Sequence, residues 1–415
     1  MKHSLASLLL VSATLLPGLL DTPARAATMI LHNFTGGTSD GSYPYGSLTL
    51  SGSNLYGMTF YGGSNDSGAI FSMNADGSGF SLLHSLTGGS SDGRSPYGSL
   101  TLSGTTLYGT TWVGGSSGSG VLFKMNADGS GFSPLHSFTG GASDGANPHG
   151  SLTLSGSKLY GMTVDGGSRG NGVLFSVNTD GTSFDLLHSF NGDASDGANP
   201  RGSLTLSGSK LYGMTAFGGS SGNGVIFSAN TDGTDYSLLH TFGFGLDDGA
   251  LPSGSLTLSG STLYGMTIGG GSGGGGTVFR MNIDGSGFSL LHNFIGGAND
   301  GWNPLGSLTL SGSTLYGMAS ESGSGNKGMI FSIRTDGTGF QLLESFGGAP
   351  ADGAFPYGDV ALSGNGSTLY GMTRNGGSAN LGVVFSRALV PEPATVLLLG
   401  SGAMLLLRRR AAPRT

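Results

Sequence analysis

The chain has 415 residues, 83 of them glycine, no cysteine, and a formal net charge of −7. The lack of cysteine excludes a disulfide framework, a thiol nucleophile and any Cys-ligated metal centre, and the acidic balance argues against nucleic acid or an anionic membrane surface as partner. Glycine at this level without a triplet period excludes collagen. Alongside 37% hydrophobic residues it reads as many short strands joined by tight turns rather than as disorder.

Residues 1–26 are expected to form a secretory signal. Lys2 and His3 precede an apolar stretch over 5–20, and Ala24-Arg25-Ala26 supplies a small-x-small pattern that puts cleavage after Ala26.

Beyond it one pattern recurs. Tyr56, Tyr108, Tyr160, Tyr212, Tyr264 and Tyr316 are spaced by 52, and Tyr370 follows after 54 because Asn365-Gly366 is inserted in a turn. Pro44, Pro96, Pro148, Pro200, Pro252, Pro304 and Pro356 keep the spacing of 52 throughout. A period this long means a solenoid, a propeller or an array. Each unit reads as four strands, in the first copy 46–50, 54–59, 69–74 and 80–86. Ser51-Gly52-Ser53 forms one tight turn, and Asp76-Gly77 forms a hairpin between the last two strands. The last copy stops after its third strand at 383–387, while 28–34 is a lone fourth strand. The pattern therefore predicts an all-β, seven-bladed β-propeller over 27–389, closed by the N-terminal strand completing the last blade. An open solenoid would want polar caps instead.

Chemistry-bearing residues are weighed against this frame. His32, His84, His136, His188, His240 and His292 recur once per unit with Glu344 in the seventh place. They lie on the outermost strand, on one face with residues such as Phe80 and Leu82, which predicts packing with a local hydrogen bond rather than a metal site. Asn74, Asp76 and Ser78 resemble the start of a calcium loop without its twelfth-position acid, so the hairpin accounts for them. Asp40, Asp92, Asp144, Asp196, Asp248, Asp300 and Asp352 are read as turn-formers. Asp165, Arg201, His149, Glu321 and Arg374 break the sevenfold symmetry at no spacing that chemistry would demand, so no catalytic, cofactor or metal residue is assigned.

Chain direction places the Gly-rich loops and the DGxxPxG crossovers together on one face of the disc, where the copies differ most. After the repeated proline stand Tyr45, Tyr97, His149, Arg201, Ser253, Leu305 and Tyr357, expected to ring the channel mouth. Tyr61, Trp112 and Phe217 follow the second strands. Together these ten form a candidate ligand face for an extracellular polysaccharide or a matrix protein.

At the C-terminus Pro391-Glu392-Pro393 precedes an apolar run over 394–407 and the basic stop Arg408-Arg409-Arg410. The run is shorter than the roughly 20 residues a spanning helix needs. Motif, helix and stop over 390–415 resemble the PEP-CTERM sorting signal. The resemblance implies an exosortase-type processing enzyme as partner and transient inner-membrane anchoring through the helix. It also implies cleavage near Pro391–Pro393 and release to the cell surface or matrix, commonly beside exopolysaccharide. Over 29–386 the strings LLHSF, DGANPxGSLTLSGSTLYGMT and GVLFSMNTDGSGF resemble the GloVer tandem repeats, which implies no activity; Glu344 and Thr110 depart from the pattern. The expectation is a non-enzymatic surface or matrix scaffold. Its alternatives are an extracellular enzyme acting on polysaccharide, and an ice-binding or adhesion protein. Ice binding would want flat threonine rows, whereas Thr49 and its equivalents recur once per blade.

Overall fold

Each unit is built around a phenylalanine that needs a glycine across from it. On the third strand of the first blade, Phe71 pairs with Gly57 on the second. Its ring lies so close that a Cβ on Gly57 would stand 2.5 Å from Cζ of Phe71. The computed structural model describes residues 28–389, and these form seven four-stranded antiparallel sheets and no helix. In the first blade the strands run Thr49–Ser51, Asn54–Thr59, Ala69–Asn74 and Ser81–Ser85, in that order from the axis outward. The apolar core sits between blades: Tyr56, Met58 and Ile70 of the first pack on Leu107, Phe123 and Met125 of the second. Burial between sheets rather than within one is why a single unit could not stand alone.

The ring closes as the lone N-terminal fourth strand predicts. In the seventh blade Ala361–Leu362, Thr368–Thr373 and Val383–Ala388 are completed by Thr28–Asn33, antiparallel to Val383–Ala388. The innermost strand begins at Thr49 rather than at 46, because Gly46 and Ser47 are engaged with the next blade. A Cβ on any of Gly46, Gly98, Gly150, Gly202, Gly254, Gly306 or Gly358 would lie 2.1–2.8 Å from the carbonyl oxygen of the next in the series, and Gly358 meets Gly46. One residue on, Ser47 N–H donates to Ser99 Oγ at 2.7 Å, and Ser99, Ser151, Ser203 and Ser255 continue the relay. Ser307 N–H donates to the carboxylate of Asp359, whose own N–H returns to Ser47 Oγ at 2.7 Å. Deeper still, Thr49 Oγ1 donates to the carbonyl of Leu100 at 2.5 Å, and five further threonines repeat the bond. These hydroxyls serve neighbouring backbone and present no threonine row.

The outermost strand departs from simple alternation. Phe71 pairs with Leu82 and Ile70 with His84, so Leu83 is a bulge and the strand's faces switch there. Phe80 and Leu82 pack toward the seventh blade and Leu83 toward the second. The expectation of one shared face for Phe80, Leu82 and His84 is corrected accordingly. His84 stacks on Phe132 of the next blade at 4.0 Å and 5°. The other five histidines also stack on the ring in that position of the next blade, His32 on Phe80 at 3.7 Å and His188 on Tyr236 at 3.8 Å.

Each histidine also meets the crossover aspartate eight residues on, from 2.9 Å for His292–Asp300 to 3.2 Å for His84–Asp92. The aspartates therefore do more than turn the chain. Asp40 accepts from Thr35 N–H and from Gly41 N–H as well as meeting His32. Burial pushes the Asp40 carboxyl up, but the bonds from His32 and Thr35 outweigh it and hold it below the ordinary value.

At the seam the stack is replaced. Thr28 stands where Phe80 stands in the first blade, Glu344 where a histidine would, and Arg387 where Met73 does. Thr28 Oγ1 donates to Glu344 Oε2 at 2.9 Å, and the buried Arg387 guanidinium binds the same oxygen. Without a histidine partner, Asp352 has its carboxyl raised by burial and by nearby Glu344.

Two predictions follow for thermal and denaturant unfolding. Gly202→Ala, whose Cβ would meet the Gly254 carbonyl at 2.1 Å, lowers stability by roughly 2–3 kcal/mol. Gly208→Ala has an open turn around it, and at its φ of +58° it loses only about 1 kcal/mol. Equal losses would show that the axial contact is not limiting. Glu344→Ala removes the carboxylate beside the buried Arg387 guanidinium and costs roughly 3 kcal/mol, whereas Glu344→Ala with Arg387→Met regains most of it. A double variant as unstable as the single would contradict the seam pairing.

Candidate ligand-binding site

The crossovers aim one side chain per blade at the axis. The residue before each proline adopts a left-handed conformation, with φ from 52° at Asn199 to 59° at Ser95. Its N–H donates to the Gly-rich loop of the preceding blade, as in Tyr43 to Leu381 O at 2.8 Å. Pro44 then packs over Gly382, where a Cβ would stand 2.7 Å from its Cδ. With proline fixing φ and the axial glycine following, the residue between them has one direction left.

Tyr45, Tyr97, His149, Arg201, Ser253, Leu305 and Tyr357 accordingly line one cavity of about 410 Å³ together with Trp112, Val164 and Arg374. This falls within the roughly 300–1,000 Å³ of small-molecule sites. The structure places Tyr61 and Phe217 elsewhere, outside the cavity lining and 42% and 40% exposed. The reason is alternation. In all seven blades the chain after the second strand pairs with the crossover in a short ribbon, Tyr61 opposite Ser42 in the first. The first residue of the variable pair turns inward at Trp112, Val164 and Arg374, and the second turns outward at Tyr61 and Phe217. Sequence reasoning missed this ribbon, and with it the inward Val164 and Arg374.

The lining is lopsided. Tyr45 stands 5.0 Å from Tyr357 and 4.7 Å from Tyr97, and Tyr97 stacks on His149 at 4.5 Å. Phe60 backs Tyr45 and Tyr97 at 5.1 and 4.9 Å, and Trp112 meets Tyr97 edge-on at 5.2 Å. Burial raises the Tyr45 and Tyr97 hydroxyls above their ordinary pKa, so both stay protonated. The opposite wall is Arg201, Ser253 and Leu305.

Arg374 donates from Nε to Tyr45 OH at 2.7 Å and lies 5.3–5.8 Å from the rings of Tyr43, Tyr45 and Tyr357. His149 Nδ1–H donates to the Arg201 carbonyl at 2.9 Å, leaving Nε2 as an acceptor. Burial lowers the His149 pKa to about 4, against the opposing bond to Arg201. Among the described residues no carboxylate lines the cavity. Asp165 and Glu321 sit outside it, hydrogen-bonded to Asn199 at 3.5 Å and to Asn303 at 3.1 Å.

On the far face, the turn residues read as calcium-like bind one another. Asp76 Oδ1 accepts from Ser78 N–H and Oγ at 2.9 and 2.7 Å, and Asn74 Nδ2 donates to Ser78 Oγ. Among the described residues no group of three or more His, Cys, Asp or Glu could hold a metal, and no helix is long and apolar enough to cross a membrane. The sorting and cleavage residues Ala26, Pro391, Glu392, Pro393 and Arg408–Arg410 lie outside the described residues, as do the apolar run 394–407 and the leader 1–26.

The His149 ring is expected to remain neutral through about pH 5 and to gain charge only near pH 4 in ¹⁵N NMR titration. A midpoint close to 6.5 would show that it is not desolvated as described.

The Gloeobacter/Verrucomicrobia repeat matches residues 21–210, 114–312 and 156–385, and the PEP-CTERM protein-sorting motif matches 389–411. No curated protein matches the chain. Among solved structures, an oligogalacturonate lyase in complex with manganese is similar at 12% identity and a TM-score of 0.55, over 86% of this chain and 91% of that one. A candidate 6-phosphogluconolactonase from Bacteroides uniformis ATCC 8492 is similar at 18% identity and a TM-score of 0.51, over 80% and 90%. At these identities the likeness is one of fold alone.

Proposed function

We propose that this chain, which belongs to the Gloeobacter/Verrucomicrobia repeat family, acts outside the cell as a non-catalytic module that binds saccharide in its axial cavity. Its PEP-CTERM motif marks an exported protein with a C-terminal membrane anchor, cleaved before the protein reaches the cell surface, which implies exosortase as the processing partner. In this reading residues 1–26 are the export signal, 27–389 the mature propeller and 390–415 the segment handled by exosortase. The partner at the surface is the extracellular polysaccharide.

One observation carries the reading: the arc Tyr357–Tyr45–Tyr97–His149, backed by Phe60 and Trp112, on a scaffold that is otherwise close to sevenfold. Sugar rings present C–H faces to aromatic rings and hydroxyls to their rim, and tyrosine offers both kinds of surface. The arc is fixed in advance by the strands beneath it, so little ordering is lost on binding. The polar groups that could orient a sugar are the tyrosine hydroxyls, Nε2 of His149 and two guanidinium groups.

The test is calorimetric titration with oligosaccharides prepared from the producing organism's matrix. The parent is expected to bind them, and Tyr45→Ala/Tyr97→Ala/Tyr357→Ala to lose about a hundredfold in affinity, at roughly 1 kcal/mol per ring. Equal binding by both proteins, or none by the parent, overturns the reading. Chromatography of the titrated oligosaccharides separates binding from catalysis: intact chains throughout support a binding module, and shortened chains replace it with an enzyme.

A further inference from the structure

The cavity carries more positive charge than the chain around it would suggest. The chain as a whole is acidic, with a formal net charge of −7, yet Arg201 and Arg374 both line the cavity and, among the described residues, no carboxylate does. Among the described residues neither arginine forms a salt bridge. Their contacts are to aromatic rings and neutral oxygens: Arg201 lies 5.8 Å from the Phe217 ring, and Arg374 binds Tyr45 OH and Asn375 Oδ1.

The seam shows what this chain does with an arginine it uses structurally, since Arg387 is given Glu344. Arg374 is held in place by the tyrosines while its charge stays unneutralised. The crossovers put Arg201 on the fourth blade, and Arg374 follows the second strand of the seventh. Three steps round a ring of seven sets them on nearly opposite walls. A second depression runs outward from Arg374 over the seventh blade, lined by Lys327, Phe355, Asn375 and Asn380. There the Lys327 ammonium stands 4.9 Å above the Phe355 ring. Three cations thus mark a path from the axis to the rim.

Resting on the saccharide reading above, we propose that the ligand is an acidic polysaccharide. One sugar carboxylate sits on Arg374 beside the tyrosines, a neighbouring acidic unit reaches Arg201, and the polymer leaves past Lys327. Planar guanidinium groups suit carboxylates because two N–H groups can meet two oxygens at once. The point charge of Lys327, on the open rim, adds attraction without that geometry.

The experiment compares a β-linked oligoglucuronate with its carboxyl-reduced, neutral counterpart of the same length, using the mature protein and the variants Arg374→Gln, Arg201→Gln and Lys327→Gln. Expected results are a preference of tenfold or more for the acidic oligomer, and its weakening by roughly tenfold in each arginine variant. Lys327→Gln should weaken only oligomers long enough to reach the rim, and added salt should weaken all acidic binding. Arg374→Lys should recover part of the loss, and unchanged melting temperatures show that the variants fold. Equal affinity for the two oligomers, with the arginine variants unaffected, overturns the acidic ligand and leaves the saccharide reading standing. Failure to bind either oligomer, with tight binding of polyglutamate instead, overturns both.

Discussion

The axial relay is the contact on which the rest of the molecule depends. Seven glycine backbones approach so closely that no side chain fits between them, and beside them seven half-buried N–H groups each find an oxygen on the next blade. An unpaired buried N–H is expensive, so the relay both satisfies the inner strands and fixes their distance from the axis. That distance bears on how closely the second and third strands of neighbouring blades pack. It also sets the width of the floor above which the post-proline residues meet. The cavity is in this sense a by-product of the glycine ring, and its shape follows before any of its side chains is chosen.

Departures from sevenfold repetition fall into two groups with opposite character. Around the seam they compensate one another: Arg387 replaces an apolar residue, and Glu344 and Thr28 replace the stacked pair so as to receive it. Asp359 likewise replaces a serine and takes over its acceptor role in the relay. Around the mouth no such balance exists. Tyr45, His149, Arg201, Ser253 and Leu305 differ from one another without restoring any contact the other blades make. Change that repairs the scaffold and change that leaves chemistry exposed can thus be told apart within one chain.

Most of the fold was legible in the sequence because a repeat supplies its own controls. The strand over 54–59 and the partner at 28–34 follow from spacing and alternation, and seven copies remove the ambiguity of one. The ring of post-proline residues was legible for the same reason, since proline and glycine on either side leave them one direction. Three features were not. The bulge at Leu83 inverts the face of every residue after it, and nothing in Ser81–Ser85 marks the extra residue. The His–Asp pairing joins two positions eight apart that each have a sufficient local explanation. The choice of Phe60 and Trp112 over Tyr61 as inward residues depends on a two-residue ribbon too short to show as a strand pattern.

The shared last blade also bears on how such a gene can change. Because the ring is cut between a third and a fourth strand, the piece from one fourth strand to the next third strand is the unit that duplication or loss would move. Adding or removing one such unit leaves Thr28–Asn33 facing the same final strand, Val383–Ala388. Copy number can therefore change without altering which strands fasten the ring, and the contacts between neighbouring blades, the glycine ring among them, gauge how many blades fit. A split blade keeps the reading of length apart from the act of fastening.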